Sequence, residues 1–333
     1  MRNTFVLVLA LLVAFLIAVP ALAAPVNEVL TFGYSDERNR ESYVLGGALV
    51  GSLYHLTGGP SYSQPLLMDG NRWGGEFEGR AVAVTVEGNV MYGYLLPDPH
   101  VTPPVIGELL RPLWSVKLHG SKDTKSHPTY FEKGGRKYIV IGTYSQYIDI
   151  IDITDFKNAF LSDYISGNYI TDITSAPLIM EWRGHDILVA TSGNTGKVFI
   201  VADPFTDPKD FYINVGIGRT SSSPAPVDGG KAFAVGLDQG AYRGELRIYY
   251  LDDILKEGPG GKVEGTGKPA RIVEKLDAGL AASFAVGGDV LYFGDSRSNI
   301  YAYDTANKRL IWKNNKFKGI FSNRSPALTD DKV

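Results

Sequence analysis

"VLYFGDSRSNIYAYDTANKRLIWK", residues 290–313, places apolar side chains at every second position of three short runs: Val290 and Tyr292, Ile300 and Ala302, Leu310 and Trp312. A period of two is that of a half-buried strand. Residues 294–298 and 305–309 separate the runs with polar turn compositions. The stretch therefore predicts a three-strand antiparallel meander. Such a meander cannot bury both faces alone and needs copies of itself on either side.

The copies begin with a short Ser-x-Pro-like lead-in. It stands at Ser63-Gln64-Pro65, Ser126-His127-Pro128, Ser175-Ala176-Pro177, Ser223-Pro224-Ala225, Ser283-Phe284-Ala285 and Ser325-Pro326-Ala327. Successive serines are 63, 49, 48, 60 and 42 residues apart. The short gaps bracket the ~40–50-residue period of propeller repeats. The two long gaps hold a Pro-rich stretch, 96–113, and a Gly-rich stretch, 257–269. At that density Pro and Gly suit neither strand nor helix, so both are expected as loop insertions. Each unit then repeats four strands, for example 175–182, 186–193, 197–203 and 210–216. The expected fold is all-β: a β-propeller of four-stranded antiparallel blades. Five full blades run from Ser63 to Asn315, with partial blades at both ends. The ring has six blades if the termini share one, near 42–56 and 325–333, and seven or eight if the chain continues. A β-sandwich would not account for five near-copies in register.

Within the opening stretch, 302–312 (AYDTANKRLIW) resembles the A-x-D-x-x-T-G-K-x-x-W pattern of pyrrolo-quinoline-quinone (PQQ)-type propeller repeats. Ala302, Asp304 and Trp312 match, while Asn307, Lys308 and Arg309 depart from it. Elsewhere the match is fainter: Ala202-Asp203 and Asp152 without a Trp, and Trp114 after an insertion. The resemblance implies a PQQ-like propeller over 42–333, with an incomplete C-terminal blade. Many members of that superfamily bind no quinone. A large aromatic on a fourth strand can bury ~150–250 Å² against the next blade. Trp312 is thus expected as inter-blade packing and Asp304 as a turn cap.

The N-terminus carries Arg2, an apolar run from Phe5 to Val19, and Pro20-Ala21-Leu22-Ala23 with small residues at the cleavage positions. This is the pattern of a secretory signal peptide over 1–23, followed by a lead-in over 24–41. An uncleaved anchor is the competing reading, since 5–24 is just long enough to span a bilayer. The expected location is secreted, periplasmic or cell-surface. With no cysteine in the chain, neither disulfide staples nor a lipid-modified cysteine is available. The adjacent Cys pair of the alcohol-oxidising quinoproteins in this resemblance is missing too. Net charge is −3, without a Lys/Arg run, so a nucleic-acid partner is unsupported.

No catalytic, cofactor-binding or metal-binding residue is assigned from the sequence. His55, His100, His119, His127 and His185 form no zinc or haem spacing. His119 and His127 flank Asp123 in what reads as a solvated connection. The stretches 193–197 (GNTGK) and 215–220 (VGIGRT) lack phosphate-loop spacing. Asp252-Asp253 and Asp330-Asp331 read as turn residues, and no carboxylate spacing selects a glycosidase pair. In a four-strand meander, second-to-third loops share a face with the blade-to-blade crossovers. Both insertions follow third strands and should leave from the other face. Polar loops at 143–147, 191–196, 237–244 and 294–298 then form the default ligand rim, with Tyr144, Asn194, Gln239, Tyr242 and Arg297 as candidate contacts. The functional expectation is an exported, non-catalytic binding or scaffold propeller at the cell envelope. It would resemble the outer-membrane assembly propellers in fold, and its partner would be a protein or a polysaccharide. A PQQ-dependent dehydrogenase, with calcium, and a propeller enzyme acting on polysaccharide are the alternatives.

Overall fold

A computed structural model describes residues 53–54, 63, 65–96, 108–109, 111–120, 123–166, 172–214, 218–220, 222–240, 243–280 and 282–315. The signal sequence, most of 42–56 and the segment from Ser325 lie outside the described residues. Among those described, five four-stranded antiparallel sheets follow one another, and in each the order in space is the order in sequence. They are the blades of a β-propeller.

Blade I is Leu66–Asp69, Ala81–Glu87, Val90–Leu95 and Trp114–Lys117. Blade II is Thr129–Lys133, Arg136–Gly142, Tyr147–Asp152 and Phe160–Ser166. Blade III is Leu178–Trp182, His185–Thr191, Lys197–Ala202 and Lys209–Asn214. Blade IV is Ala225–Val227, Ala232–Asp238, Gly244–Tyr250 and Ile272–Leu276. Blade V is Ala285–Gly287, Val290–Gly294, Ile300–Asp304 and Arg309–Asn314. First strands approach one another across blades III, IV and V, which puts them next to the axis.

The second and third strands are buried on both faces because a blade is sandwiched between neighbours. Met68 and Val84 of blade I pack with Ile139 and Ile151 of blade II. Val140 and Ile150 meet Leu188 and Val201 at the II–III junction. Val189 and Ile200 meet Phe233 and Leu237 at III–IV. Leu246 and Ile248 meet Phe293 and Tyr303 at IV–V.

The serine lead-ins have a physical task. Each of the five described sits just before a first strand, fully buried at Ser126 and Ser175. Ser126 Oγ accepts from Gly142 N at 3.1 Å and donates to Ser175 O of the next blade at 2.6 Å. Ser175 Oγ accepts from Thr191 N at 2.9 Å. Ser223 Oγ accepts from Ala176 N at 3.0 Å, and Ser283 Oγ accepts from Ser223 N at 2.9 Å. Thr129 Oγ1 donates to Pro177 O at 2.7 Å. These hydroxyls form a belt near the axis that ties blades II to V through backbone groups. A short side chain carrying both a donor and an acceptor is what such a junction requires.

Three expectations are refined. Trp312 is 40% exposed and meets Tyr292 of its own blade at 6.3 Å, and what would follow blade V lies outside the described residues; packing between blades by a fourth-strand Trp is seen elsewhere. It is made by Trp114 on the fourth strand of blade I, 7% exposed and edge-on to Phe156 at 5.8 Å. Gly93 lies opposite Trp114 in register, and a Cβ there would collide with the indole. Second, the Gly-rich insertion is folded. Just before it the chain forms a short helix, Leu251–Ile254, and a strand, Leu255–Glu257, which pairs in a hairpin with Val263–Gly265 of the insertion. Leu251, Ile254, Leu255 and Val263 are buried in the III–IV core, and the hairpin packs on the outer strand of blade III, where Gly265 lies against Phe211. Third, Asp252 and Asp253 are more than turn residues. Asp252 accepts from Trp182 Nε1 at 3.0 Å, and Asp253 takes both guanidinium nitrogens of Arg271 at 2.7 Å.

Of the Pro-rich insertion, residues 96, 108–109 and 111–113 are described, and Glu108–Leu109 pairs in parallel with Leu53–Tyr54. Both insertions do join a third to a fourth strand, as the strand parity requires. No helix among the described residues is long and apolar enough to cross a membrane.

Candidate functional site

The II–III junction opens into a groove on the face that carries the insertions. Its walls follow from strand length. The first strands of blades II and III have five residues, against three in blades IV and V. The extra residues carry the walls past the belt and end in the hairpins at 134–135 and 183–184.

One cavity of about 420 Å³ lies between Phe131, Lys133, Ile179, Met180, Glu181 and Asp186. A second, of about 270 Å³, shares Phe131, Glu132 and Ile179 and reaches Arg72 and Tyr130 toward the axis. A third, of about 140 Å³, continues outward past Tyr138, Asp163 and Phe205. Phe131 and Phe205 stack at 4.8 Å between the first and the third, so the cavities line up along one junction.

Strand alternation sorts the side chains. Phe131 pairs across the hairpin with Tyr138, and Ile179 with Leu188, so both apolar walls face the junction. Glu181 lies opposite Asp186. Lys133 Nζ forms an ion pair with Asp186, bridging the two blades above the groove. Tyr130 donates its hydroxyl to Glu132 Oε2 at 2.8 Å and lies under the Arg72 guanidinium at 4.9 Å. Burial, and then the bond to Glu132, push the Tyr130 phenol above its ordinary range. Arg136 is held by Asp152 at 2.5 Å. Glu132 and Glu181 are both exposed. Glu181 has no hydrogen-bond or ion-pair partner among the described residues.

On the opposite face the polar loops do share a surface with the crossovers. Ile173 N donates to Thr143 O at 3.2 Å, Gly193 N to Asp172 O at 2.9 Å, and Ser296 N to Gly279 O at 3.0 Å. Tyr144 lies under Lys125 Nζ at 4.7 Å. The Asn194 amide donates to Asp172. Gln239 is exposed, with its backbone N–H on Arg243 O at 3.0 Å. Arg297 is exposed on a turn held by the Asp295 carboxylate. Tyr242 lies outside the described residues. These side chains sit on separate hairpins, and none of the described cavities is lined by them.

The histidines are individually placed. His119 is not a free loop residue: its backbone N–H donates to Asp149 Oδ2 at 2.7 Å and its Nδ1 pairs with Oδ1 at 2.9 Å. Tyr164 and Tyr147 flank the ring at 4.2 and 5.1 Å. Asp149 is fully buried, and burial raises its pKa against the two His119 bonds. His185 pairs with Asp203 at 2.8 Å. His55 and His100 lie outside the described residues. Among the described residues no three His, Asp or Glu side chains converge to hold a metal.

The sequence signal for the groove was present and weak. FEKGGRK (131–137) and MEWRGHD (180–186) each place Glu one residue after an apolar wall residue. Only the packing of two blades 49 residues apart turns that echo into a lip.

No protein-family model matches the chain, and no curated protein matches it. Among solved structures it is similar to a chain of one titled "Crystal Structure of Mitotic Checkpoint Complex", with 12% identity and a TM-score of 0.48. The match covers 70% of this chain and 60% of that one.

Proposed function

We propose that this chain is an exported, non-catalytic propeller that binds or scaffolds other components of the cell envelope, with the II–III groove as its principal binding surface. The groove carries the reading: apolar walls at Phe131 and Ile179 are ringed by charged lips on rigid strands. Sites of that make-up combine burial with orientation. Export rests on the apolar run from Phe5 to Val19 and the small residues at Ala21 and Ala23. Kinship with PQQ-type repeats is part of the same proposal, and the Asp304 turn supports it. The Asp304 carboxylate accepts from Asn307 N at 2.9 Å, as the motif's aspartate should.

Fractionation and N-terminal sequencing test the export half. The expected mature N-terminus is Ala24, and intact Met1 in a membrane fraction would overturn cleavage. The binding half is tested by comparing envelope partners captured by the native chain and by an Ile179→Asp variant. Capture unaffected by that change would remove the groove from the reading. Adding the quinone and calcium to purified protein and recording its absorbance tests the dehydrogenase alternative.

A further inference from the structure

We propose that the register pair Phe131 and Tyr138 is a subsite for an aromatic side chain of a protein partner, and that Phe205 of this chain occupies it until the partner's ring takes its place. This rests on the groove being a binding surface and adds what the groove recognises.

The present occupant shows what fits. Phe131 and Tyr138 lie opposite one another in the first hairpin of blade II and present a tile of two rings to blade III. Phe205 reaches across the junction and stacks on both. It lies 4.8 Å and 6° from Phe131, and 5.0 Å and 26° from Tyr138. Stacked rings gain beyond the area they bury, so the tile favours a ring over an aliphatic group of the same size.

The occupant is lightly held. Phe205 stands on the turn between the third strand of blade III, which ends at Ala202, and the fourth, which begins at Lys209. Asp203 anchors the start of that turn. Its backbone N–H donates to Asp186 O at 2.8 Å, and its carboxylate pairs with His185 at 2.8 Å. Its φ of 51° bends the chain there. Past Asp203 one backbone bond closes the turn, from Thr206 N to Asp203 O at 3.1 Å. Among the described residues Pro204 and Phe205 make no hydrogen bond. The ring can therefore leave the tile without breaking the ladder between the two strands.

There is room on both sides of it. The cavity of about 420 Å³ reaches Phe131, and that of about 140 Å³ is lined by Tyr138, Pro204 and Phe205 itself. A partner's ring in the place of Phe205 has space for the chain that carries it, before and after. A free aromatic molecule would leave that space unfilled, so the fit is to an extended protein segment with an aromatic residue at its centre. While Phe205 covers the tile it competes with the segment, and the apparent affinity is lowered by the fraction of molecules in which the tile is uncovered.

A random nonapeptide library displayed on phage, selected in parallel on the native chain and on Phe205→Ala, provides the probe. Selection on the variant should enrich Phe, Tyr or Trp at one position. A synthetic peptide of that consensus should bind the variant roughly tenfold or more tightly than the native chain, because the competing ring is gone. Were Phe205 mere packing, its removal would weaken binding instead. Adding Phe131→Leu to the variant should abolish the gain. If Phe205→Ala does not fold, 4-fluorophenylalanine placed at position 205 alone reads the same event in an otherwise native chain. Its fluorine resonance should move toward that of the free amino acid when a peptide selected on the native chain binds. Selection without aromatic enrichment, binding to Phe205→Ala no tighter than to the native chain, or a fluorine resonance unmoved by bound peptide would overturn the subsite. Ring-free peptides whose binding Ile179→Asp abolishes would overturn it too, yet leave the groove as the binding surface. Selected peptides that ignore both Phe131→Leu and Ile179→Asp would take down the groove reading with it.

Discussion

Replacing Ser126 by alanine isolates the hydroxyl belt. The side chain is fully buried, and its oxygen serves two backbone groups: Gly142 N at 3.1 Å and Ser175 O at 2.6 Å. Alanine fits the space and leaves both groups short of a partner at a fully buried position. An orphaned buried donor or acceptor costs ~1–3 kcal/mol. The carbonyl keeps a second lone pair and suffers less, so the expected loss is about 2–4 kcal/mol. At ~2–4 °C per kcal/mol for a chain of this size, the Tm should fall by about 4–16 °C. Ser162→Ala is the control. Its hydroxyl donates to Ile150 O at 2.9 Å on a half-exposed outer strand, where water can replace it, and the expected cost is under about 1 kcal/mol. Urea titrations followed by tryptophan fluorescence read both variants. The two serines losing the same amount, or Ser126→Ala staying within about 0.5 kcal/mol of the native chain, would refute the belt as a structural tie.

Trp114→Ala should cost ~3–5 kcal/mol, while Trp312→Ala, at a side chain 40% exposed, should cost about 1 kcal/mol or less; equal melting shifts would overturn the contrast. Deleting 258–267 should lower the Tm, because Val263 alone contributes roughly 1.5–3 kcal/mol of buried surface; an unchanged thermal scan would return that insertion to the class of dispensable loops. Burial pushes the phenols of Tyr94 and Tyr303 up to about 12, and those of Tyr130 and Tyr301 up as well. A raised phenol leaves stability complete below its unfolded value of about 10 and erodes it as pH climbs toward the folded value. Absorbance at 295 nm should therefore show exposed tyrosines titrating first and a later, cooperative step coincident with unfolding; all 19 ionising together with the fold intact would contradict this.

How much could be read beforehand depended on whether a signal was local. The serine lead-ins marked the five described blade starts, two or three residues ahead of each first strand, and from blade II to blade V their hydroxyls make the belt. Strand parity placed both insertions correctly, since a meander leaves no choice of face. Asp304 was legible because its cap is made three residues away, at Asn307. Trp312 shows the limit of the motif, which describes one strand, while burial depends on the neighbour that covers it, and that neighbour lies outside the described residues. Trp114 has the neighbour, and a glycine beneath it, without the surrounding motif. The insertion misled for a different reason. Its glycines announce turns, but Val263 within it packs with Leu251, Ile254 and Leu255 just before it. The groove was invisible because it belongs to two blades at once.

The belt sits beside the axis, whereas the fourth strands at the circumference expose Phe160, Tyr164, Tyr212 and Val273 to solvent. Mechanically the disc is a fan pinned at its hub. Thermal motion should spread the blades angularly, with amplitude growing with radius, and amide exchange should quicken from first strand to fourth within every blade. A radial groove on such a body opens most at its outer end. A ligand would enter from the circumference and slide inward, and its departure would be timed by the spreading of blades II and III.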